Sequence, residues 1–290
     1  MKTVFFGAST FVIPIIEILK KKFDLVLVVT TEKLPTDPVP SYCNKQGIEY
    51  ISASSLSNPT FNSQLSTLNF QFGILAYFGL LVPNDILSMF TKGILNIHPS
   101  LLPKYRGPTP VQTAILNGDK KTGVTIIKLD EKIDHGPILA QVEEPILAND
   151  TAETLYERLF KLGANLLGKN IDQYLNNSIK LKQQDHKKAT YTKHLARTDG
   201  YIDFNPQSPQ YPKSLQYLNR MIRAYYPWPG VWSKIRIRNP FGPSSGRGHE
   251  SRIMFLPNQK IQVEGKKPMS YKDFINGYPN AKSVILPMIK

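Results

Sequence analysis

Gly93-Ile94-Leu95-Asn96-Ile97-His98-Pro99-Ser100-Leu101-Leu102-Pro103 is the stretch on which the reading of the fold turns. Residues 94–97 read as a short buried strand, and Pro99 and Pro103 stop it. An amide, an imidazole and a hydroxyl therefore gather where a strand runs out. In open α/β sheets ligands bind at that rim. Side chains alternate along a strand, so Asn96 and His98 share one face and Ile97 takes the other. Two readings of the pair stand side by side on spacing alone. One is a functional site; the other is a pair of hydrogen-bonded structural residues beside an apolar strand.

Upstream, apolar runs alternate with helical patterns. Residues 3–6, 25–29, 48–51 and 72–76 are strand candidates, while Ile13, Ile16 and Leu19 recur at helical spacing. Phe6-Gly7-Ala8-Ser9 reads as a tight strand-to-helix turn, because it lacks the glycine spacing of a dinucleotide fingerprint. Pro35, Pro38 and Pro40 predict a loop over residues 30–40. Downstream, five Pro and Gly residues stiffen 98–110, and a helix follows from about 111 to 116. Strands are expected at 122–129 and 138–142. A long helix over 151–174 carries the apolar stripe Leu155, Leu159, Leu162, Leu166 and Ile171, with Asp150 or Thr151 as its cap. This rhythm predicts an α/β fold with a mostly parallel sheet and helices on both faces.

A second candidate site element lies in Leu129-Asp130-Glu131-Lys132-Ile133-Asp134-His135-Gly136-Pro137. Three carboxylates lie close together there, and spacing does not choose among them. Asp134 ends the loop just before the next strand, where it can point toward His98; Asp130 and Glu131 read as solvated turn residues. His135 has no second histidine at ligand spacing, so no metal is expected. His186, His194 and His249 read as solvated or phosphate-contacting residues.

Charge is divided unevenly along the 290 residues. Residues 1–179 hold 16 Lys/Arg and 16 Asp/Glu; residues 180–290 hold 20 and 6, and so carry the whole net charge of +14. A basic surface can serve solubility alone. Its confinement to one region favours a polyanionic partner, nucleic acid above all. The division suggests a neutral domain for small-molecule chemistry at 1–179, a polar and basic linker at 180–204, and a second domain at 205–290. That second domain should hold a helix at 215–224 and short strands at 231–237, 252–256, 260–263 and 283–286, the pattern of a small β-barrel. Residues 239–250 read as a loop rich in Gly, Pro and Ser.

Several classes are excluded or disfavoured. Cys43 is the only cysteine, so no internal disulfide and no multi-thiolate zinc site can form. No Gly-x-Ser-x-Gly elbow occurs. Residues 4–19 are apolar, but Gly7, Pro14 and Glu17 interrupt them and no cleavage pattern follows, which favours a buried strand and helix over a signal sequence. The run at 72–83 is too short to cross a membrane. A soluble, cytoplasmic monomer is the expectation.

Asn96-Ile97-His98-Pro99-Ser100-Leu101-Leu102-Pro103, followed by Tyr105-Arg106-Gly107-Pro108, resembles the signature of the folate-dependent formyltransferases. Asp134, after Gly123-Val124-Thr125-Ile126, stands where that family has its catalytic aspartate, and Phe6-Gly7 with Phe11 and Pro14 also fits. The second half resembles the branch that acts on methionyl-tRNA. The matching segments are Ala189-Thr190-Tyr191-Thr192-Lys193, Asp199-Gly200-Tyr201-Ile202-Asp203-Phe204, Arg223-Ala224-Tyr225-Tyr226-Pro227-Trp228-Pro229-Gly230 and Glu264-Gly265-Lys266-Lys267-Pro268-Met269-Ser270. The resemblance implies a Rossmann-like catalytic domain followed by an OB-like barrel that grips tRNA. It implies 10-formyltetrahydrofolate as co-substrate and no metal. It implies Asn96, His98 and Asp134 as the catalytic set, with Ser100, Leu101, Leu102 and Pro103 lining the folate site. Other branches formylate nucleotide-linked amino sugars or a purine precursor, and an RNA-binding protein with a silent folate domain is a further alternative. One segment departs from the tRNA branch. Its members usually carry a longer Arg- and Lys-rich loop after the second strand, where this chain has Thr30-Thr31-Glu32-Lys33-Leu34-Pro35-Thr36-Asp37-Pro38. Lys187, Lys188 and Lys193 of the linker are then the candidates for that work.

Overall fold

The computed structural model describes residues 1–32, 37–237 and 248–282. The chain divides into two compact units. The first comprises Met1–Pro110, Lys120–Pro145 and Tyr156–Lys193; the second comprises Val111–Asp119, Ile146–Leu155 and His194–Lys290.

The first unit is built on a seven-stranded sheet. Its strands are β1 (Lys2–Gly7), β2 (Asp24–Thr31), β3 (Tyr50–Ala53), β4 (Phe72–Ala76), β5 (Ile94–His98), β6 (Lys121–Lys128) and β7 (Ile138–Pro145), in the order β3-β2-β1-β4-β5-β6-β7. Strands β1 to β5 pair in parallel; β6 and β7 add antiparallel. The sheet is therefore mostly parallel and Rossmann-like. Periodicity finds strands but carries no direction, so the antiparallel edge was not legible in the sequence. Thr3 through Gly7 of β1 are all buried, as a strand covered on both faces must be.

The helices up to residue 175 are α1 (Ile13–Lys22), α2 (Pro38–Gln46), α3 (Pro59–Ser66), α4 (Asn84–Ser88), α5 (Pro110–Asn117), which belongs to the second unit from Val111 on, and α6 (Ala152–Leu175), which belongs to the first unit from Tyr156 on. One sheet face packs Val4, Phe6, Leu27, Val29 and Ile94 against Phe61 and Leu65 of α3 and Ile86 of α4. The other receives α6, whose Gly163 lets the helix backbone approach Ile97 of β5. There Lys22 of α1 pairs with Asp172 of α6 at 2.8 Å. Strand alternation puts Asn96 and His98 on the first of these faces and Ile97 on the second.

One expectation changes. The loop predicted over 30–40 gives way at Pro38 to α2. Asp37 caps that helix by accepting from Val39 N–H at 3.2 Å. The prolines do not oppose this, because a proline in the first helical turn lacks only an N–H that would find no helical partner. Residues 33–36 of that loop lie outside the described residues. Residues 180–193 of the expected linker lie in the first unit. Lys182 and Ile138 exchange backbone hydrogen bonds at 2.7 and 2.8 Å; Thr192 N–H donates to Arg106 O and Arg106 N–H to Thr190 O, both at 2.8 Å.

The second unit carries a four-stranded antiparallel sheet, β8 (Val231–Ile237), β9 (His249–Leu256), β10 (Lys260–Val263) and β11 (Met269–Ser270), in the order β11-β10-β9-β8. Helices α7 (Leu215–Ala224) and α8 (Tyr271–Gly277) pack against β9 and β10. Val231, Ser233, Ile235 and Ile237 alternate inward, the period of a half-buried strand. The strand expected at 283–286 and most of the loop expected at 239–250 lie outside the described residues. Among the described residues no helix is long and apolar enough to cross a membrane.

Gly163 offers a test of this packing. A Cβ there would stand 2.6 Å from Ile97 Cγ2, on a β-branched side chain with little freedom to move. Helix propensity alone would make Gly163→Ala stabilising by about 1 kcal/mol. Overpacking costs about 1–3 kcal/mol and should win, so the denaturation midpoint of the variant is expected to fall.

Candidate active site

The end of β5 and the loop between β6 and β7 bring three sequence-predicted residues together. Asn96 Nδ2 donates to Asp134 Oδ1 at 3.1 Å, and His98 Nδ1 lies 3.5 Å from the same oxygen. The Gly107 N–H donates to the other oxygen, Oδ2, at 2.7 Å. Asn96 and His98 are buried, and the Asp134 side chain is 11% exposed. Of the three loop carboxylates, Asp134 turns inward, whereas Asp130 pairs with His135 Nδ1 at 2.7 Å.

Donor and acceptor chemistry fixes how His98 is used. Its Nε2 lies 2.9 Å from the Tyr105 carbonyl. A carbonyl only accepts, so Nε2 carries a hydrogen and donates. Nδ1 is then the ring nitrogen left facing Asp134. Asn96 Nδ2 has two hydrogens and gives one to Asp134; the second has no partner among the described residues. The cluster therefore presents an amide N–H and an imidazole nitrogen beside a carboxylate.

Ser100 to Pro103 form the rim below this cluster, and much of their polarity is spent internally. The Ser100 hydroxyl donates to Lys104 O at 2.6 Å. Leu102 N–H donates to Thr125 Oγ1 at 3.1 Å, and Leu102 O accepts from Gln141 Nε2 at 3.0 Å. Ser100 and Leu102 are buried; Leu101 and Pro103 are half-buried. The open surface of this stretch is therefore apolar.

Sequence reasoning did not single out the groups that hold the loops. Arg106, 1% exposed, donates through Nε and Nη2 to Gln184 Oε1 at 3.2 and 2.6 Å. Gln184 Nε2 donates to the carbonyls of Asp134 and Gly136 at 2.9 and 2.7 Å. Arg106 sits inside the quoted signature, which was a usable signal. Gln184 lies in a polar stretch without period and gave none. Arg106 Nη2 also lies 2.9 Å from His186 Nδ1, and the His186 and His135 rings stack 4.0 Å apart.

Residues 1–171 match the family described as formyl transferase. The chain belongs to that family. Among relatives of this formyl transferase, the methionyl-tRNA formyltransferase of Roseiflexus sp. (strain RS-1) is 37% identical, over 81% of this chain and 74% of its own. The methionyl-tRNA formyltransferase of Buchnera aphidicola subsp. Schizaphis graminum (strain Sg) is also 37% identical, over 94% of each chain. Among solved structures, a sugar 3N-formyl transferase crystallised in the presence of dTDP and 5-N-formyl-THF shares the fold. Its TM-score is 0.63 and its identity 22%, over 92% of this chain and 99% of that one.

The stacked histidines make a pH prediction. Loss of hydration, then the charges of His135, Arg106 and Lys132, hold His186 below the ordinary histidine value of 6.5, against a smaller opposing effect of Asp130. The neutral ring is the form whose Nδ1 can accept from Arg106. The unfolded chain binds this proton at higher pH than the folded one. Stability from this group is therefore complete above about pH 6.5 and is lost as pH falls toward the folded value. Between about pH 7 and 5.5, the thermal midpoint of the native chain should fall further than that of His186→Ala.

Proposed function

We propose that this formyl transferase moves the formyl group of 10-formyltetrahydrofolate onto the α-amino group of initiator methionyl-tRNA, for the start of protein synthesis. The observation that carries the choice of acceptor is the extent of the likeness. Identity of 37% to a methionyl-tRNA formyltransferase runs over 94% of the chain, through the basic carboxy-terminal unit as well as the catalytic one. In the same reading, the β11-β10-β9-β8 sheet belongs to a small OB-like barrel that holds tRNA, and 180–204 joins it to the catalytic domain at 1–179. Lys187, Lys188 and Lys193 contact phosphates, and the protein works as a cytoplasmic monomer.

The geometry suits the reaction. A free α-amino group has a pKa of about 8, so much of it is protonated near neutrality and a base must help. As nitrogen attacks the formyl carbon, negative charge develops on the formyl oxygen. The second Asn96 N–H and a protonated His98 Nδ1 are the donors for that charge. Asp134 Oδ1, within 3.5 Å of both, orients them, takes up the amine proton directly or through one water, and returns it to N10 of the folate as the bond between N10 and the formyl carbon breaks, so that tetrahydrofolate leaves. Leu101 and Pro103 offer apolar surface to the folate, while Ser100 and Leu102 brace the rim from inside.

Removal of an oxyanion donor costs about a hundred- to a thousandfold in rate. Asn96→Ala and His98→Ala should lose that much in kcat, and Asp134→Ala at least as much. Near-native turnover of the Asp134 variant would sink the assignment. The acceptor is tested by comparing formylation of methionyl-tRNA with that of a nucleotide-linked amino sugar, the alternative suggested by the fold of the sugar enzyme. Phosphate contacts release counterions, so tRNA affinity should fall steeply with salt. A flat salt profile would count against tRNA, and folate binding with no turnover on either acceptor would indicate a silent domain.

A further inference from the structure

Gln184 is 5% exposed, and its amide has only one workable orientation. Oε1 must face the Arg106 guanidinium, which only donates; Nε2 must face the Asp134 and Gly136 carbonyls, which only accept. A glutamate in its place could accept but not donate, and a methionine could do neither. Asp134 needs such a hold. Its φ is 48°, in the left-handed region that a residue with a side chain adopts only at an energetic cost. Two residues on, Gly136 lies so close to β6 that a Cβ would stand 1.8 Å from Lys128 O. Gln184 bonds the carbonyls on either side of His135, and so fixes the peptide planes that aim the Asp134 side chain at Asn96 and His98.

We propose that Gln184, oriented by Arg106, is a positioning residue for formyl transfer, setting the direction of the Asp134 carboxylate. The inference rests on the reading of Asp134 as the proton acceptor. It makes the strap at 180–193 a working part of the site: the carboxylate comes from one segment and its aim from another, 50 residues away.

Two variants test it. Gln184→Met removes both halves of the bonding pattern at similar length. Gln184→Glu keeps the partnership with Arg106 and removes only the donation to the loop carbonyls. Misplacement of a reacting group by about 1 Å can cost about a hundredfold, so kcat should fall between tenfold and a hundredfold in each. KM for the formyl donor should change little. Thermal unfolding identifies the variants that remain folded. The deciding measurement pairs each substitution with Asp134→Asn. If Gln184 acts through Asp134, the double variant turns over no more slowly than Asp134→Asn alone. A merely structural role predicts losses that multiply, and that result would overturn the inference, as would native kcat in a folded Gln184→Glu protein. Full turnover in Asp134→Asn would instead overturn the reading of Asp134 itself.

Discussion

Both oxygens of the Asp134 carboxylate are engaged, and they bind different parts of the chain. Oδ1 takes the Asn96 amide from the end of β5, and Oδ2 takes the Gly107 N–H from the proline-bounded loop that follows. Two consecutive segments and a third, 27 residues beyond Gly107, thus meet at one side chain. Strand β6 runs antiparallel to β5, with Thr125 beside His98 and Lys128 beside Leu95, so that the loop at 129–137 leaves β6 beside the start of β5 and Asp134 reaches Asn96 from there.

The sequence carried part of this site openly. Strand alternation alone placed Asn96 and His98 on one face, and the structure puts them there. It could not choose Asp134 over Asp130 or Glu131, since in a turn the direction of a carboxylate depends on backbone angles that composition does not encode. The family resemblance pointed to Asp134. The structure supplies a physical distinction: Asp130 pairs with His135, and Asp134 faces Asn96 and His98. Gln184 was illegible for a different reason. Its meaning lies wholly in partners at 106, 134 and 136, and nothing local marks it.

In the fold, helix α6 was legible and helices α3 and α4 were not. Helix α6 announces itself by a stripe of leucines over 24 residues. Helices α3 and α4 span 8 and 5 residues and contain Ser, Thr and Asn, which favour caps and turns as readily as helix interiors. They form because Phe61, Leu65 and Ile86 have a sheet to cover, a tertiary cause that no window of sequence contains. The same holds for α2, where the prolines that argued for a loop occupy positions a helix start accepts.

The uneven charge gains a physical sense from the proposed reaction. Catalysis needs a neutral amine beside a developing oxyanion, held by Asn96, His98 and Asp134 within the first 179 residues, which balance 16 cationic against 16 acidic side chains. A field of excess positive charge around the reacting amine would favour its loss of a proton, but it would also hold any anion without discrimination. Residues 194–290, all in the second unit, hold 15 Lys/Arg against 5 Asp/Glu, and that excess separates the two tasks. Phosphates far from the reacting atoms then supply binding energy, and the catalytic unit uses it to fix the amine against the formyl carbon. Binding energy from a remote part of a substrate that is spent in this way raises turnover as well as affinity. An acceptor cut down to its aminoacyl end would lose those phosphates. It should react slowly even at saturation, because the interactions that orient it in the transition state would be gone.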